Sequence, residues 1–130
     1  MPTQFELVLF LRLLISVLLG VLIGFERTNR YKEAGIRTHA IVALGSCLLM
    51  ILSKYGFPDV AQADHSRIAA QVVTGIGFLG AGMILVRKNT VSGLTTAAGI
   101  WTTSAVGMTI GAGMYFIGIS TAALIIFVQV

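Results

Sequence analysis

The sequence predicts an all-α protein, a polytopic membrane helix bundle with five transmembrane helices, an external N-terminus and a cytoplasmic C-terminus. The first observation is composition: 56% of the 130 residues are hydrophobic, only 11% are charged and the mean hydropathy is +0.92, which is typical of membrane proteins. The second is a series of five apolar stretches, each close to the roughly 20 residues that cross a hydrocarbon core as a helix. The third is the position of the basic residues in the loops between them.

The predicted spans form a single domain over residues 1–130, and they cover approximately residues 7–25, 36–52, 68–86, 94–110 and 115–130. The first span follows "MPTQFE", which carries an acidic residue, and ends in "GFER". It therefore lacks the basic start and small-residue cleavage site of a signal peptide and is interpreted as a retained helix. The stretch "GAGMY" is predicted to divide the last two spans, because one helix of about 37 residues is too long to cross with ordinary tilt.

The charges of the loops predict the orientation. The loops "ERTNRYKEAGIR" and "RKNTVSG" contain six basic residues, namely Arg27, Arg30, Lys32, Arg37, Arg87 and Lys88. Both are predicted to be cytoplasmic, because short cytoplasmic loops are enriched in Lys and Arg. The loop "KYGFPDVAQADHSR" mixes two bases with two acids and is predicted to lie outside. The net charge of +4 is explained by this asymmetry, so no nucleic-acid partner is expected.

The third span contains "TGIGFLGAGMI", in which Gly75, Gly77 and Gly80 match the pattern of a dinucleotide-binding loop. Such a loop must follow a strand and be followed about 20 residues later by an acidic residue, whereas no acidic residue occurs after Asp64. The glycines are instead predicted to let helices approach closely, and Gly82 is expected to pack on the side opposite to Gly77. Unwinding of this glycine-rich helix around an ion remains an open alternative.

Two sets of small residues are predicted to be packing faces. Gly20 and Gly24 form such a pair on the first span. A second face on the third span consists of Ala70, Thr74, Gly77 and Ala81, which lie within about 60° of one another on a helix.

The fourth span, "GLTTAAGIWTTSAVGMTIG", is unusually rich in hydroxyl groups. Helical spacing predicts that its threonines and one glycine share a face, which consists of Thr95, Thr96, Gly99, Thr102 and Thr103. These hydroxyl groups are expected to bond to carbonyl groups of their own helix or across a helix interface, and a groove lined for an ion or a partner helix is the alternative. Trp101 lies too deep for an interfacial belt and is expected to pack against a neighbour.

Two charged residues lie near the ends of the first span. Arg12 is embedded about six residues from its start, and it is expected either to extend to the headgroups or to have a function. Glu26 lies at the other end, where the helix dipole disfavours a carboxylate, so a nearby cation is expected from Arg27, Arg30 or Arg37. An ion pair between Glu26 and Arg37 is the preferred interpretation over a binding role.

The sequence contains no pattern that predicts an enzyme or a cofactor. His39 and His65 are predicted to lie on opposite sides of the membrane, so they cannot share a metal ion. The single cysteine, Cys47, is expected to be a small buried residue. No Asp or Glu lies within a span away from its ends, which disfavours Mg²⁺ transport without excluding it, and any metal ligands stay unknown.

Three segments together resemble the MgtC/SapB family of bacterial inner-membrane proteins. They are "GFERTNRYKEAGIRTHAIVALGSCLLM", "AAQVVTGIGFLGAGMI" and "GLTTAAGIWTTSAVGM", in this order and with the spacing of the family. The resemblance extends from Arg12 to about Gly113 and implies a multi-pass inner-membrane domain of five spans with an external N-terminus. Many members continue into a cytoplasmic domain of ACT-like fold, which is expected to be absent from this chain.

The resemblance also implies a role and a set of motif residues. Virulence-associated members promote survival in low Mg²⁺ and are linked to inhibition of the F-type ATP synthase, although the family was first described as Mg²⁺ transporters. The motif residues are Glu26, Arg27, Gly35, Arg37, Thr38, Gly77, Gly80, Gly82, Thr95, Thr96 and Trp101. Virulence-type members carry Asn where Thr95 stands, so a housekeeping role is an equal expectation.

Two hypotheses follow. In the first, the protein is a non-enzymatic membrane regulator that docks on itself as a homo-oligomer, or on a membrane partner such as the F-type ATP synthase. In the second, it transports Mg²⁺ or another ion along the threonine-rich face of the fourth helix, with Glu26 at the cytoplasmic end of the path.

Overall fold

A computed structural model describes residues 1–130 as five helices and one hairpin, with 72% of the chain helical. The helices are α1 (Gln4–Asn29), α2 (Ile36–Tyr55), α3 (Arg67–Ala81), α4 (Leu94–Gly111) and α5 (Tyr115–Gln129), and the strands β1 (Leu85–Arg87) and β2 (Thr90–Ser92) lie between α3 and α4. The helical fold class is therefore confirmed. Of the five helices, α1 and α2 are long and apolar enough to cross a membrane.

Helix ends agree with the predicted turns, except in the third span. The division of the last two helices at residues 111–115 is confirmed, because α4 ends at Gly111 and α5 begins at Tyr115. Gly113 makes this turn possible with a φ of +89°, a conformation that glycine adopts at little cost. At the N-terminus of α1, Thr3 accepts a hydrogen bond from the backbone N–H of Glu6 at 3.1 Å, as a helix cap does.

The prediction that the third helix continues to residue 86 is wrong. The helix ends at Ala81, and β1 pairs antiparallel with β2 so that Val86 faces Val91. Lys88 and Asn89 form the turn with φ of 45° and 68°, the left-handed conformation required at both positions of a tight hairpin turn. A short apolar run has the same hydropathy in a helix and in a strand, and here the turn residues decide in favour of the strand.

Neighbouring helices alternate in direction, as contacts between their ends establish. Arg12, near the start of α1, bonds to Tyr55 at the end of α2, to Gly111 at the end of α4 and to Tyr115 at the start of α5. At the opposite end of the bundle, the last residues of α1 lie next to the last residues of α5.

The helices α1, α2 and α4 form the centre of the bundle. The prediction that Gly20 and Gly24 are a packing face is confirmed: a Cβ atom at Gly20 would lie 2.6 Å from the carbonyl oxygen of His39, and one at Gly24 would lie 2.6 Å from that of Gly35. Gly111 brings α4 equally close to the backbone of α2. The largest core cluster fills the remaining space and consists of Leu19, Ile23, Cys47, Ile51, Val106, Ile110 and Ala122. Cys47 is buried, as predicted.

Helix α3 lies at the edge of the bundle, and the prediction that its glycines pack on two sides is wrong. Only Val72 and Gly80 are buried in this helix. A Cβ atom at Gly80 would make ordinary contacts with Ala97, whereas Gly75 and Gly77 face open space. The predicted face that contains Gly77 is exposed throughout, although Gly77 and Ala81 line a shallow groove together with Leu94 and Trp101 of α4.

Candidate functional site

The charged side chains that the bundle buries, Arg12 and Arg27, lie near its two ends. At one end, the last turns of α1 and α5 meet the first half of α2 and the middle of α4. We call this group the Glu26 cluster, and it consists of Glu26, Arg27, His39, Thr103 and Gln129. At the other end lies the Arg12 cluster, which consists of Arg12, Lys54, Tyr55, Tyr115 and the last carbonyl groups of α4.

In the Glu26 cluster the carboxylate is held by two cations and an amide. The Nη1 atom of Arg27 lies 3.6 Å from Oε2 of Glu26, and Nε of Arg30 lies 3.4 Å from Oε1. Gln129 donates a hydrogen bond of 3.3 Å from Nε2 to Oε2 of the same carboxylate. The prediction of a cation beside Glu26 is confirmed, and Gln129 is a partner that the sequence did not indicate.

The predicted ion pair between Glu26 and Arg37 is wrong. Arg37 is the second residue of α2 and is exposed, and it forms no ion pair in the structure. Arg27 lies much closer to the protein interior, with a side chain that is only 4% exposed. Because Arg27 and Arg30 follow Glu26 by one and four residues at the end of α1, they reach its carboxylate without crossing the loop between α1 and α2.

His39 is almost completely buried in this cluster, at 1% exposure. Its Nδ1 atom lies 3.0 Å from Oγ1 of Thr103, whereas its Nε2 atom has no hydrogen-bond partner. Gly99 leaves room for the ring, because a Cβ atom there would lie 3.7 Å from Cε1 of His39 and 3.3 Å from Oε1 of Gln129. His39 was not among the predicted site residues, although a histidine one turn into an apolar helix was an available signal.

The hydroxyl groups of α4 do not form one continuous face. Thr96 donates to the carboxylate of Glu33 at 2.8 Å, Thr103 contacts α2, and Thr102 donates to the carbonyl of Ala98 in its own helix at 2.9 Å. Ser104 bonds to Ser46 across the interface at 2.7 Å. The prediction that these groups bond within the helix or across an interface is confirmed for Thr102 and Thr103, whereas Thr96 bonds to a loop residue.

Glu33 lies in the loop before α2, outside the helices. Its own backbone N–H and the hydroxyl of Thr96 stabilise the charged carboxylate and hold the pKa of Glu33 below its ordinary value. This bond ties the loop to the first turn of α4.

An open groove separates α4 from α5 and has a volume of about 300 Å³. Its polar lining groups are Thr95, Thr102, Thr121 and Gln129, and the rest of the wall includes Leu124 and Val128. The groove therefore ends at a residue that bonds directly to Glu26.

In the Arg12 cluster the guanidinium group is buried and makes three hydrogen bonds inside the protein. Arg12 donates from Nε to the hydroxyl of Tyr115 at 2.9 Å, and from Nη1 to the hydroxyl of Tyr55 and to the carbonyl of Gly111, both at 3.0 Å. Lys54 donates to the carbonyl of Ala112 at 3.0 Å. The expectation that Arg12 extends to the headgroups is wrong, because the unpaired carbonyl groups at the negative end of α4 attract both cations into the bundle.

The remaining motif residues have simpler surroundings. Gly35 precedes α2, where a Cβ atom would overlap Oγ1 of Thr28, and this oxygen caps the helix by accepting from the N–H of Ile36 at 2.9 Å. Thr38 and Thr95 are exposed.

Two further motif residues lie near the ends of α3 and α4. Gly82 directly follows α3. The prediction that Trp101 packs against a neighbour is met only in part: Trp101 lies beside Gly77 and Gly80 of α3 in a shallow groove, but it stays 49% exposed.

Comparisons with known proteins agree on one family. The model of the MgtC family matches residues 13–130. The "Putative magnesium transporter YhiD" of Escherichia coli (strain K12) is 57% identical over 114 residues, which are 84% of this chain and 53% of that protein. The "Protein SapB" of Bacillus subtilis (strain 168) is 42% identical over 113 residues, which cover 82% of this chain and 49% of that protein.

A third relative, "Protein MgtC" of Salmonella typhimurium (strain LT2), is 46% identical over 105 residues, which cover 81% of this chain and 44% of that protein. The chain thus spans about half the length of the curated relatives that it matches. No solved structure matches it.

Proposed function

Because the chain belongs to the MgtC family, we propose that it is a non-enzymatic membrane regulator linked to adaptation to low Mg²⁺. In this proposal it lies in the bacterial inner membrane, crosses it five times with the N-terminus outside, and acts by docking helices on a second copy of itself or on a membrane partner. The relatives named for magnesium transport and for MgtC support the link to Mg²⁺.

The surface of the bundle supports the membrane location. Large apolar residues line the outer face of α1 and are about half exposed, among them Phe10, Leu14 and Leu18. Such a surface is unfavourable in water and favourable in a bilayer. The alternating directions of the helices and the basic loops at residues 26–37 and 87–93 support the five-span orientation.

The observation that carries the regulatory role is that the polar groups inside the bundle are used to join helices. Thr103 and Ser104 bond to α2, and Glu26 is held by Arg27 and Gln129. A divalent cation prefers one or two carboxylates without competing charges. Two arginines within 4 Å make Glu26 an unfavourable ligand for Mg²⁺.

The exposed face of α3 is the candidate docking surface of the regulator. Gly77 on this face has no atom within 4 Å of its Cβ position, so we expect a bulky residue there to leave the chain folded and to obstruct a partner. Gly80 is less suitable for such a test, because its Cβ position already lies 3.5 Å from the backbone of Ala97.

The regulatory proposal is tested with inverted inner-membrane vesicles that contain the F-type ATP synthase, with and without this protein. We expect ATP-driven proton pumping to fall when the protein is present and to recover with Gly77→Leu. Gly45→Leu, also at a position with no atom within 4 Å but on α2, is the matched control. Unchanged pumping with folded wild-type protein would contradict the ATP synthase as partner, and equal effects of both variants would contradict docking through α3.

Ion transport is the second candidate, and one observation favours it. The groove between α4 and α5 carries three threonine hydroxyl groups and reaches Gln129, next to an oxygen of Glu26 that has no hydrogen bond. Hydroxyl and carbonyl oxygens can line an ion path.

Mg²⁺ uptake into proteoliposomes separates the two candidates. The regulatory proposal predicts no flux above that of empty vesicles, with an ionophore control for sealed vesicles. Saturable uptake that is lost in Glu26→Gln, with the fold intact, would replace regulation by transport.

A further inference from the structure

The β-hairpin between α3 and α4 has no partner within the chain. All six residues of its strands are exposed, including Val86 at 68% and Val91 at 53%. An isolated two-stranded hairpin is marginally stable at best in water. A hairpin that exposes two large aliphatic side chains therefore needs another surface to cover them.

The two faces of the hairpin differ in chemistry. Val86 and Val91 are directly paired across the strands, so their side chains lie on the same face. The opposite face carries the pairs Arg87–Thr90 and Leu85–Ser92, in which Leu85 is the one apolar residue and lies at the end nearest to α3. The hairpin is thus amphipathic, with a narrow apolar face of two valines.

Positive charge is concentrated at the tip of the hairpin. Arg87 ends β1 and Lys88 occupies the turn, while no acidic residue occurs anywhere after Asp64. The left-handed conformation of Lys88 and Asn89 defines a tight two-residue turn, so the position of the two cations relative to the valine face is fixed.

The base of the hairpin is held close to the ends of two helices. Met83 and Ile84 continue from α3 through backbone hydrogen bonds to Gly80 and Ala81. At the other side, Gly93 adopts a φ of +85° and approaches so closely that a Cβ atom would overlap the carbonyl oxygen of Met83. The hairpin therefore cannot move far from the ends of α3 and α4.

We propose that this hairpin is a membrane-anchoring element that inserts its valine face among the headgroups of an anionic phospholipid surface. The inference rests on the five-span arrangement, in which the ends of α3 and α4 lie at the cytoplasmic surface of the bilayer. Anionic lipid is the partner that satisfies both faces: the acyl boundary covers Val86 and Val91, and the phosphates attract Arg87 and Lys88. Because the hairpin connects the ends of α3 and α4, it lies next to this lipid surface in the five-span arrangement and needs no further protein to reach it.

The test measures the depth of single residues in reconstituted vesicles. In a Cys47→Ala background, the full chain carries one environment-sensitive nitrobenzoxadiazole label at Val86→Cys, Thr90→Cys or Leu18→Cys. The vesicles are phosphatidylcholine with or without phosphatidylglycerol, and they are also prepared with brominated lipid as a quencher. Thr90 samples the polar face of the hairpin, and Leu18 samples the exposed middle of α1.

We expect the label at Val86 to emit at shorter wavelength than the label at Thr90 and to be quenched by brominated lipid in the anionic vesicles. Adding Lys88→Gln should lower the ratio of inserted to free hairpin about fivefold, because one cation near an anionic surface contributes a factor of that order. In vesicles of phosphatidylcholine alone, the same substitution should have little effect.

Three results would overturn the proposal. Equal exposure of the labels at Val86 and Thr90 to water, with Leu18 quenched by lipid, would refute the insertion of the hairpin and leave the five spans standing. Protection of Val86 without lipid quenching would assign the valine face to a protein contact instead. An unquenched label at Leu18 would refute the membrane arrangement and this inference together.

Discussion

The close approach of α1 and α2 makes Gly24 a position where one methyl group should have a large effect. A Cβ atom at Gly24 would lie 2.6 Å from the carbonyl oxygen of Gly35 and 2.6 Å from Cα of Ile36. Both are backbone atoms, so no side-chain rotation relieves the overlap. The two helices must separate by about 0.8 Å to reach the 3.4 Å of ordinary contact.

We expect Gly24→Ala to lower the free energy of unfolding by about 1–2 kcal/mol. Overpacking of a close interface costs about 1–3 kcal/mol, and alanine returns about 0.5–1 kcal/mol because it restricts the unfolded chain and favours a helix. The assay is unfolding of the purified protein in mixed micelles by increasing sodium dodecyl sulfate, followed by far-ultraviolet circular dichroism.

Gly45→Ala is the matched control for this substitution. It makes the same chemical change inside α2, but its Cβ position has no atom within 4 Å. This variant should keep the helix-favouring gain and unfold at the same or a slightly higher concentration of detergent. If Gly24→Ala and Gly45→Ala unfold together, the interface is looser than the structure has it and the argument from backbone contact is wrong.

Three further predictions concern polar contacts. Arg12→Met should lower the free energy of unfolding by about 3 kcal/mol or more, because hydrogen bonds of a charged group are worth about 1.5–3 kcal/mol each. A loss below about 1 kcal/mol would contradict this prediction. Thr103→Val should cost about 1–3 kcal/mol by leaving the buried imidazole without its partner, whereas Thr102→Val, which loses a bond within its own helix, should stay within about 0.5 kcal/mol. Thr96→Val should raise the pKa of Glu33 towards its ordinary value in a nuclear magnetic resonance titration. Because the pKa of Glu33 is depressed in the folded state, this bond stabilises the protein above the ordinary pKa of the carboxyl group, and the stabilisation is lost as the pH falls through the folded-state pKa. An unchanged titration of Glu33 in Thr96→Val would disprove the contact.

The positions of the helices could be predicted from hydropathy and turn residues, because a long apolar run bounded by charged residues has few alternatives to a helix. The start of α2 at Ile36 and the turn at residues 111–115 were both predicted. The end of α3 was missed because residues 82–86 are as apolar as the helix before them. The sequence did contain a signal for the hairpin, since Lys88 and Asn89 are flanked by β-branched residues that pair across a turn.

The candidate site was predictable only where its members are neighbours in sequence. Glu26 required a cation, and Arg27 and Arg30 lie within one turn of it on the same helix. Gln129 is 103 residues away, so its contact with Glu26 depends on how α5 packs against α1. The same holds for Arg12, which is buried because the end of α4 happens to present unpaired carbonyl groups beside it.

The pairing of α1 with α2 also bears on how the chain is made. Both helices lie within the first 55 residues, and their closest contacts need nothing from the later helices. Domains fold from the N-terminus during synthesis, and membrane helices insert before they pack. If the helices cross the membrane as proposed, α1 and α2 are expected to form a tight helical hairpin while the ribosome is still translating, and α4 then packs onto a surface that is already formed.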